Sequence, residues 1–553
     1  MSMTKEEVLA KYFSEKKGFR DVQEETIDSL LAGKNTLCLM PTGGGKSLIY
    51  QVAGLCMEKT TIIISPLIAL MNQQNAEMRA KGISTVSFSG MDYKKQFALI
   101  TDMANGVMPQ YIFTSPERIS SDGYLEYALN KRRDDIGLVV VDEAHCISQW
   151  GDGFRPAYRN IPDFLDRIFG RDGWPATLCL TATLNEEQQQ QVIKDFHISN
   201  VVKGENLWRR NLYLEILNLK DGKEDTKDEE LERIIEKHRG EKILVFAHRV
   251  YGKHPTTRTL YDKYKDVYEG VAYFDSKADD KYKAYVLEGF KNGDIKIVFA
   301  TSAFGMGVDI PDIRVVVNYL ISETVEQYYQ EVGRGGRDNQ PAYGYLLYTN
   351  QSKRGRRMLL NQSLCTEADL VSLYEDRKPK GDVAFGHVSY EDMNEEQRIA
   401  FALLLEYGVF SVIVKGLAST RCLDSITEEG QSFLDSIKQY ARNGSTTVAA
   451  KKSGKNINSM ILNIWELCVN RALRMSKAPD RSIFYVQERK LDDELKAEII
   501  SDQEKKKVHR VAKFEEFVSS IEAGDSAEML VRKALNIGAV SYTHLRAHET
   551  KAN

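Results

Sequence analysis

A chain of 553 residues is too long for one hydrophobic core and predicts three or more domains. Its composition, 42% hydrophobic and 28% charged, is ordinary for a globular protein, and no apolar run approaches the roughly 18 residues of a membrane span. The N-terminal segment lacks the apolar core of a signal peptide. A net charge of -4 does not by itself indicate a nucleic-acid binder, but it decides little, because local basic clusters can still bind a phosphate backbone.

The number and spacing of the cysteines indicate the redox environment of the protein. The seven cysteines are scattered and form no CxxC pair, which argues against both a disulfide framework and a zinc knuckle. We therefore expect a reducing, cytoplasmic location, associated with the nucleoid if the source is prokaryotic, and no zinc site.

Short β-branched runs alternate with helical patterns from about residue 24 to residue 185. This alternation is typical of a parallel sheet with crossover helices. The predicted strands are Thr36–Met40, Thr60–Ser65, Tyr111–Ser115, Gly137–Asp142 and Thr177–Thr183.

The pattern pauses between Val201 and Asp228, where a charged, glycine-bearing stretch is suited to a linker. A second strand series then runs to about residue 350, with strands predicted at Lys242–Ala247, Asp266–Phe274, Ile295–Ser302, Ile313–Leu320 and Tyr343–Thr349. Two α/β units of similar size, residues 1–205 and 206–350, predict a duplicated architecture with a cleft between the halves.

Residues 351–539 change to helical patterns and form a mainly helical accessory region of unknown role. Apolar residues recur at helical spacing in 400–410 and 458–475, whereas 448–456 is typical of a turn or exposed loop. Residues 540–553 have no apolar periodicity and resemble a translated sequencing adaptor, so we expect a non-native or disordered tail there.

Three basic clusters stand out: Lys353–Arg357, Lys451–Lys455 and Lys505–Lys513. Such runs are most often solvated faces. Contact with nucleic acid is the alternative.

The segment Met40–Gln51, MPTGGGKSLIYQ, is typical of a phosphate cradle. A glycine-rich turn between a strand and a helix points several backbone N–H groups at one spot, and the helix N-terminus adds partial positive charge. We expect Lys46 to reach the β and γ phosphates of ATP and Ser47 to ligate Mg²⁺. The cradle itself is Thr42, Gly43, Gly44 and Gly45. The alternative is a chance glycine-rich loop.

A buried strand, Leu138–Val141, runs directly into the acids of Asp142–His145, DEAH. At the carboxyl edge of a parallel sheet, Asp142 can hold the water shell of Mg²⁺ while Glu143 orients and deprotonates the attacking water. The structural alternative is that the acids cap a helix N-terminus.

The third motif is Gln330–Asp338, QEVGRGGRD, in the second α/β unit. The motif predicts Arg334 and Arg337 on one helical face, suited to the transition-state charge of the γ phosphate. Because they lie in a different unit from Lys46, they can act only if the cleft closes, which would make ATP a switch on domain closure. The alternative is a pair of surface arginines in ordinary salt bridges.

Taken in this order, the motifs resemble those of superfamily 2 helicases, and several segments narrow the resemblance to the RecQ family of DNA helicases over residues 13–350. The matching segments include Phe19–Gln23, Ser65–Gln74, Thr114–Ile119, Thr181–Thr183, Ala300–Arg314 and Tyr328–Asp338. The family does not rely on glycine at the position of Met40. The resemblance implies two tandem RecA-like parallel-sheet domains, ATP and Mg²⁺ as cofactors, and a monomeric motor on single-stranded and forked DNA, with no membrane partner.

The resemblance also implies roles for individual residues. Gln23 would read the adenine edge with support from Arg20, and Asp309 would contact the nucleotide. The residues implied in coupling are His145, Gln149, Thr181, Thr183 and Gln330.

The segment Ala144–Tyr158 is similar to the aromatic-rich loop that links DNA contact to hydrolysis in this family. Trp150 and Phe154 offer flat faces for stacking unpaired bases, with the cation of Arg155 beside them. The loop departs from the family at Asp152 and Gly153, where His and then Asp are expected. This departure puts in question how strongly DNA binding stimulates ATP hydrolysis. A buried core role for the two aromatic residues is the alternative.

Phosphate contacts hold a motor on its track without reading sequence. The residues expected to make them are Ser65, Thr114, Arg118 and Thr301, at predicted strand ends. The resemblance implies 3' to 5' movement along one strand, which spacing alone could not give.

The resemblance ends near residue 350. Typical relatives carry a four-cysteine zinc module next, but only Cys365, Cys422 and Cys468 lie in 351–539, widely spaced. Either a divergent helical insertion stands before that module, or this branch has replaced it.

The leading hypothesis is an ATP-dependent 3'-5' DNA helicase acting in repair, recombination or genome defence. One alternative is an RNA helicase or a duplex translocase that does not unwind. Another is an ATP-gated DNA-binding module of a larger protein.

Overall fold

The structure is a computed structural model that describes residues 3–20, 22–41, 43–147, 156–182, 184–204, 208–219, 224–248, 255–305, 310–362, 365–379 and 385–535. The tail, 540–553, lies outside these ranges. Within them, no helix is long and apolar enough to cross a bilayer.

The first domain is built on a seven-stranded sheet in which every neighbouring pair is parallel, with the order β3-β4-β2-β5-β6-β1-β7. Its strands are β1 (Thr36–Leu39), β2 (Thr60–Ile64), β3 (Thr85–Ser87), β4 (Tyr111–Thr114), β5 (Ile136–Val141), β6 (Ala176–Thr181) and β7 (Asn200–Lys203). The sequence pattern predicts all of these except β3 and β7, which are short and polar. Buried, β-branched strands are expected where helices cover both faces.

Two helices precede the first strand: α1 (Lys5–Tyr12) and α2 (Gln23–Leu31). The helices that connect the strands are α3 (Lys46–Met57), α4 (Ile68–Ala80), α5 (Tyr93–Ala104), α6 (Pro116–Ser121), α7 (Gly123–Lys131), α8 (Pro156–Arg159), α9 (Ile161–Phe169) and α10 (Glu186–Asp195). Because all strands point the same way, the ends of β1, β5 and β6 lie side by side at one edge of the sheet.

The second domain repeats the plan with six parallel strands in the order β10-β11-β9-β12-β13-β8. The strands are β8 (Leu212–Asn218), β9 (Lys242–Phe246), β10 (Val271–Phe274), β11 (Ile297–Ala300), β12 (Ile313–Asn318) and β13 (Ala342–Tyr348). The helices are α11 (Glu224–Lys237), α12 (Thr257–Tyr264), α13 (Asp280–Asn292) and α14 (Val325–Val332). The two parallel-sheet domains predicted from the sequence are confirmed.

The linker predicted between Val201 and Asp228 was wrong for most of its length. That stretch carries β7 of the first sheet, β8 of the second, and the start of α11. β8 escaped the pattern because it is an edge strand, in which Tyr213 and Glu215 are exposed and interrupt the apolar residues.

The third region is mainly helical, as predicted. Its helices are α15 (Asn350–Leu360), α16 (Glu367–Arg377), α17 (Glu395–Glu406), α18 (Glu428–Tyr440), α19 (Thr446–Ser453), α20 (Ile457–Val469), α21 (Asp493–Glu522) and α22 (Ala527–Ala534). The loop predicted at 448–456 was wrong, since α19 continues to Ser453 and the chain turns only at Gly454, whose φ is +69°.

Two small antiparallel sheets that the sequence pattern does not predict complete this region. The strands are β14 (Gly386–Ser389), β15 (Phe410–Gly416), β16 (Leu423–Ser425), β17 (Leu473–Met475) and β18 (Ser482–Gln487). One sheet has the order β14-β18-β15, and the other pairs β16 with β17.

The C-terminal region shares one continuous hydrophobic core with the first domain. Trp465 of α20 packs on Tyr124 of α7 with ring centroids 5.1 Å apart. At Gly123, an added Cβ would lie 1.9 Å from the carbonyl oxygen of Lys415, so only glycine allows β15 to approach this closely. The buried Lys415 Nζ donates to the Glu126 carboxylate of α7 at 2.6 Å. The region is therefore built onto the first domain rather than tethered to it.

Helix α21 connects this region to the second domain. Leu495 and Ile499 near its start are buried in the C-terminal core, while Phe514, Phe517 and Val518 near its end are buried in the core of the second domain. With 30 residues, it spans about 45 Å. The C-terminal region thus contacts both α/β domains through buried apolar side chains.

Candidate nucleotide site and nucleic-acid interface

The phosphate loop lies between β1 and α3, and its glycines have the conformations that a cradle requires. Gly43 and Gly45 have φ of +78° and +81°, and Gly45 caps α3. An added Cβ on Gly44 would lie 3.0 Å from the Pro41 carbonyl oxygen. Side chains here would be strained or would fill the loop, so its backbone can approach a phosphate closely.

Lys46 is the first residue of α3. Its Nζ is buried and has no hydrogen-bond partner among the residues that the structure describes. A buried ammonium without an acceptor is costly, and an anion such as the β or γ phosphate would relieve that cost. Lys46 and the next residue, Ser47, line a cleft between the two α/β domains that has a volume of about 1120 Å³.

Gln23 and Arg20 lie on the other side of the phosphate loop. They line a smaller cavity of about 230 Å³ together with Phe13 and Gly18. Gln23 Nε2 donates to the carbonyl oxygens of Gly44 and Gly45 at 3.2 and 3.0 Å, and its Oε1 accepts from the Arg20 backbone N–H at 2.8 Å. The side chain expected to read the adenine edge therefore contacts the phosphate loop directly.

Asp142 and Glu143 follow β5 at the edge of the sheet. The Glu143 backbone has a φ of +51°, and its N–H donates to Asp142 Oδ1 at 3.0 Å. Burial and the neighbouring Glu143 charge raise the pKa of Asp142. Burial would also raise the pKa of Glu143, but the Lys46 ammonium and His145 lower it below its usual range. Glu143 is therefore the carboxylate of the pair that stays ionised and can accept a proton.

His145 connects Glu143 to the next strand of the sheet. Its Nδ1 lies 3.2 Å from Glu143 Oε2 and 3.0 Å from Thr181 Oγ1, at the end of β6. Burial alone lowers the pKa of His145, but the Cys146 thiol and Glu143 raise it to about 10. The structure thus brings two of the expected coupling residues, His145 and Thr181, together around the predicted base.

Arg334 and Arg337 reach the same site from the second domain. An added Cβ on Gly43 would lie 3.8 Å from Arg337 Cγ, so this side chain packs on the phosphate loop. The Glu143 carboxylate interacts with the Arg334 charge, while burial and the like charge of Arg337 lower the pKa of Arg334 to about 9. The two guanidinium groups repel each other, and a bound anion would offset that repulsion. Gln330, on α14, lines the same cleft.

The predicted helical face for these arginines was wrong. α14 ends at Val332, and both side chains come from the turn after it, where Gly336 has a φ of +57°. Arg209 holds that turn by donating to the carbonyl oxygens of Gly333, at 2.7 Å, and Gly336. Sequence reasoning missed Arg209 because it lies in the supposed linker.

A second missed residue is Tyr158 of α8. Its buried hydroxyl donates to the Asp142 carbonyl oxygen at 2.8 Å, which fixes the backbone of the acidic motif to the helix that follows residues 148–155. In the sequence, only its position at the end of the aromatic-rich segment could have indicated that Tyr158 contacts the site.

The site fits ATP and a divalent cation. A glycine cradle, a buried ammonium without a hydrogen-bond partner among the described residues and two guanidinium groups from the second domain match a polyphosphate. The buried Asp142 carboxylate and the partly exposed Glu143 carboxylate line one cleft with Ser47, and oxygen donors of this kind suit Mg²⁺. Nowhere in the described ranges is a cluster of three or more His, Cys, Asp or Glu side chains arranged to hold a metal by itself.

The residues expected to touch the nucleic-acid backbone fall into two groups. Ser65 is buried and its hydroxyl donates to Asp142 Oδ2 at 3.1 Å, so it contacts the nucleotide site. Thr114 and Arg118 line a separate groove on the first domain, and Thr301 lies at the end of β11 in the second. Each domain thus has an expected backbone-binding residue at the end of a β-strand, and a single strand of nucleic acid that crosses both domains could contact both residues.

Several expected site residues lie outside the described ranges. They are Thr42 of the cradle, Asp309, the stacking group Trp150, Phe154 and Arg155, and the coupling residues Gln149 and Thr183.

Comparisons with known proteins agree with this geometry. The DEAD/DEAH box helicase family matches residues 20–192, and the helicase conserved C-terminal domain family matches residues 226–339. The chain is 32% identical over 466 residues to the ATP-dependent DNA helicase RecQ of Bacillus subtilis, which covers 82% of this chain and 74% of that protein. It is 28% identical over 438 residues to the probable ATP-dependent DNA helicase RecS of the same organism, covering 76% and 79%.

Among solved structures, a DEAD-box helicase, Mss116, bound to ssRNA and UDP-BeF aligns with a TM-score of 0.53. The alignment covers 85% of this chain and 92% of that one at 17% identity. At this identity the likeness shows a shared fold of two RecA-like domains.

Proposed function

Because the chain belongs to the RecQ family of ATP-dependent DNA helicases, we propose that it hydrolyses ATP to move 3' to 5' along single-stranded DNA and to unwind the duplex ahead of it. The observation that carries the proposal is the composite site, in which Arg337 of the second domain packs on Gly43 in the phosphate loop of the first. A site completed by two domains ties the state of the nucleotide to the distance between them.

The proposed chemistry divides among the residues of this site. The backbone N–H groups of the loop and Lys46 hold the phosphates, while Arg334 and Arg337 stabilise the charge that develops on the γ phosphoryl group. Glu143, held ionised by Lys46 and His145, orients a water molecule and accepts its proton. Mg²⁺ would be held by Ser47 and Asp142 and would neutralise phosphate charge.

The coupling of ATP hydrolysis to movement on DNA depends on the DNA contacts that each domain makes. Thr114 and Thr301 lie on different domains, so closing and opening of the cleft changes the spacing of two grips on one strand. Tyr158 and His145 connect the acidic motif to α8 and β6, and this provides a route by which a bound strand affects Glu143. The direction of movement rests on the family resemblance, as does a role in repair, recombination or genome defence.

The direct test is unwinding of matched DNA and RNA forks, with ATP turnover measured with and without single-stranded DNA. We expect DNA forks to be unwound and single-stranded DNA to stimulate hydrolysis. Unwinding of RNA forks alone would make the protein an RNA helicase. DNA-stimulated hydrolysis without strand separation would make it a translocase.

A further inference from the structure

A groove of about 330 Å³ lies between the first domain and the C-terminal region, apart from the nucleotide cleft. One wall is formed by the end of β4 and by α6, with Thr114 and Arg118. The other wall comes entirely from the C-terminal region, with Tyr390, Arg398 and Arg481.

The first wall has buried polar atoms with no partner. Thr114 is 2% exposed, and its Oγ1 has no hydrogen-bond partner among the described residues. Arg118 is 9% exposed and lies over the Phe88 ring, 4.2 Å from its centroid. Its terminal nitrogens donate to Gln96 and Asp122, but its Nε is likewise unpaired. A buried hydroxyl and a buried guanidinium N–H therefore lack acceptors beside this groove.

The second wall presents two more guanidinium groups. Arg398 of α17 is fixed over the Tyr390 ring at 5.0 Å, with its Nε donating to the Tyr390 carbonyl oxygen at 3.1 Å. No carboxylate in the part of the chain that the structure describes lies within ion-pair distance of Arg398. Arg481 has a φ of +40°, a strained backbone for a non-glycine residue, and pairs with Glu391 at 3.2 Å.

The charges of the two walls repel each other in the free protein. Burial lowers the pKa of Arg118, Asp122 raises it again, and the Arg481 charge lowers it further. Three carboxylates offset the arginines: Asp122, which also caps α7 by accepting from the Leu125 N–H, Glu117, and Glu391. The Glu391 side chain is 60% exposed, so it can leave Arg481 when a stronger acceptor arrives.

We propose that Arg398 and Arg481, together with Thr114, bind the phosphodiester backbone of single-stranded DNA and so extend the strand path from the first domain onto the C-terminal region. The inference rests on the proposed function, since Thr114 lies at a strand end where the motor would grip DNA. Arginine forks match phosphate oxygens, and the Thr114 hydroxyl can donate to one. Because the C-terminal region shares a core with the first domain, both walls of the groove would move together during the motor cycle.

The test measures binding of a fluorescent single-stranded oligonucleotide by anisotropy over a range of salt concentrations, using the full chain. Removing one phosphate contact makes the slope of log affinity against log salt shallower by about 0.7. We expect that change for Arg398→Gln and for Arg481→Gln, and the sum of both for the double variant. Arg474→Gln is the matched control, because Arg474 is also an ion-paired C-terminal arginine, bound to Asp424 at 3.6 Å, but lies outside the groove.

Glu391→Gln separates a binding site from a structural ion pair. If phosphate competes with Glu391 for Arg481, this variant binds DNA more tightly than the wild type. If the pair only stabilises the fold, Glu391→Gln and Arg481→Gln weaken binding alike. Arg398→Lys with Arg481→Lys keeps both charges and should keep the wild-type slope, and the melting temperature of each variant shows whether it is folded.

A double glutamine variant that is folded and retains the wild-type salt slope would overturn the inference, as would weaker binding by Glu391→Gln. Displacement of the oligonucleotide by inorganic phosphate alone would show an anion pocket instead of a strand path. These results leave the proposed function intact if the wild type still unwinds DNA. If the wild type neither binds nor unwinds DNA, the proposed function itself is wrong.

Discussion

Arg337 packs on Gly43 across the cleft, so the second domain contributes a cation to a phosphate loop that belongs to the first. An arginine placed this way can stabilise charge on the γ phosphoryl group only while the domains are close together. The pairing explains why two separate α/β units are needed for one hydrolytic site.

The first prediction concerns this contact. Arg337→Ala should lower kcat for ATP hydrolysis by about a thousandfold, because arginines in this role act mainly on the transition state. Steady-state kinetics should show KM for ATP changing much less than kcat. Arg239→Gln, an exposed arginine of the same domain, is the control and should behave as wild type. A rise in KM with an unchanged kcat would mean that Arg337 only binds ATP in the ground state.

The second prediction isolates the general base. Glu143→Gln keeps the shape of the side chain but removes the proton acceptor, so hydrolysis should be abolished while ATP and DNA still bind. Binding is measured by fluorescence with a nucleotide analogue and with an oligonucleotide. Glu186→Gln, an exposed acid on α10, should leave turnover unchanged. DNA-stimulated turnover retained in Glu143→Gln would refute the assigned role.

The third prediction concerns base recognition. Gln23 contacts both the phosphate loop and the Arg20 backbone, so Gln23→Ala should raise KM for ATP and reduce the preference for ATP over GTP. The measurement is hydrolysis of each nucleotide over a range of concentrations. Equal effects on ATP and GTP would show that Gln23 supports the loop without reading the base.

The fourth prediction tests the junction between the C-terminal region and the first domain. Glu126→Gln leaves the buried Lys415 without its carboxylate and should reduce the free energy of unfolding by about 3 kcal/mol. Denaturant unfolding measures this loss. Adding Lys415→Met to Glu126→Gln should restore part of it, because the fully buried charge is then gone, while Arg167, which also pairs with Glu126 at 2.9 Å, is partly exposed to water. A double variant no more stable than Glu126→Gln would contradict this explanation.

The same lysine gives a pH dependence. Burial lowers the pKa of Lys415 from the ordinary lysine value of 10.5 to about 8, although Glu126 opposes the shift. Between these two values the unfolded chain binds more protons than the folded one, so the contribution of Lys415 to stability rises with pH. The difference in unfolding free energy between the wild type and Lys415→Met should therefore increase from pH 8 to pH 10.5. A difference that falls over this range would contradict the assigned shift.

Much of the fold could be predicted from the sequence because its central strands are continuous apolar runs. Leu138–Val141 leads directly into Asp142, and Thr36–Leu39 leads into the glycine loop. The same short segment of sequence therefore predicts both the strand and the site residues that follow it. β8 could not be found in this way, since an edge strand buries only one face and its exposed Tyr213 and Glu215 break the pattern. Arg209, which supports the arginine turn, was missed with it.

The contacts between distant segments also lie beyond a sequence pattern. Lys415 and Glu126 are 289 positions apart, and nothing near either residue indicates a buried pair. The groove between Thr114 and Arg481 forms where the C-terminal region packs on the first domain, and the close approach of β15 there requires glycine at 123. Tertiary packing therefore decides where the C-terminal region lies, while local pattern decides only that it is mainly helical.

We propose that hydrolysis at the composite site drives strand separation in one direction. The most direct test compares displacement of a labelled strand from 3'-tailed and 5'-tailed duplex DNA, with ATP, by the wild type and by Glu143→Gln. We expect rapid displacement from the 3'-tailed substrate by the wild type only. Displacement from the 5'-tailed substrate alone would contradict the proposed direction, and equal displacement by Glu143→Gln would show that hydrolysis does not drive strand separation.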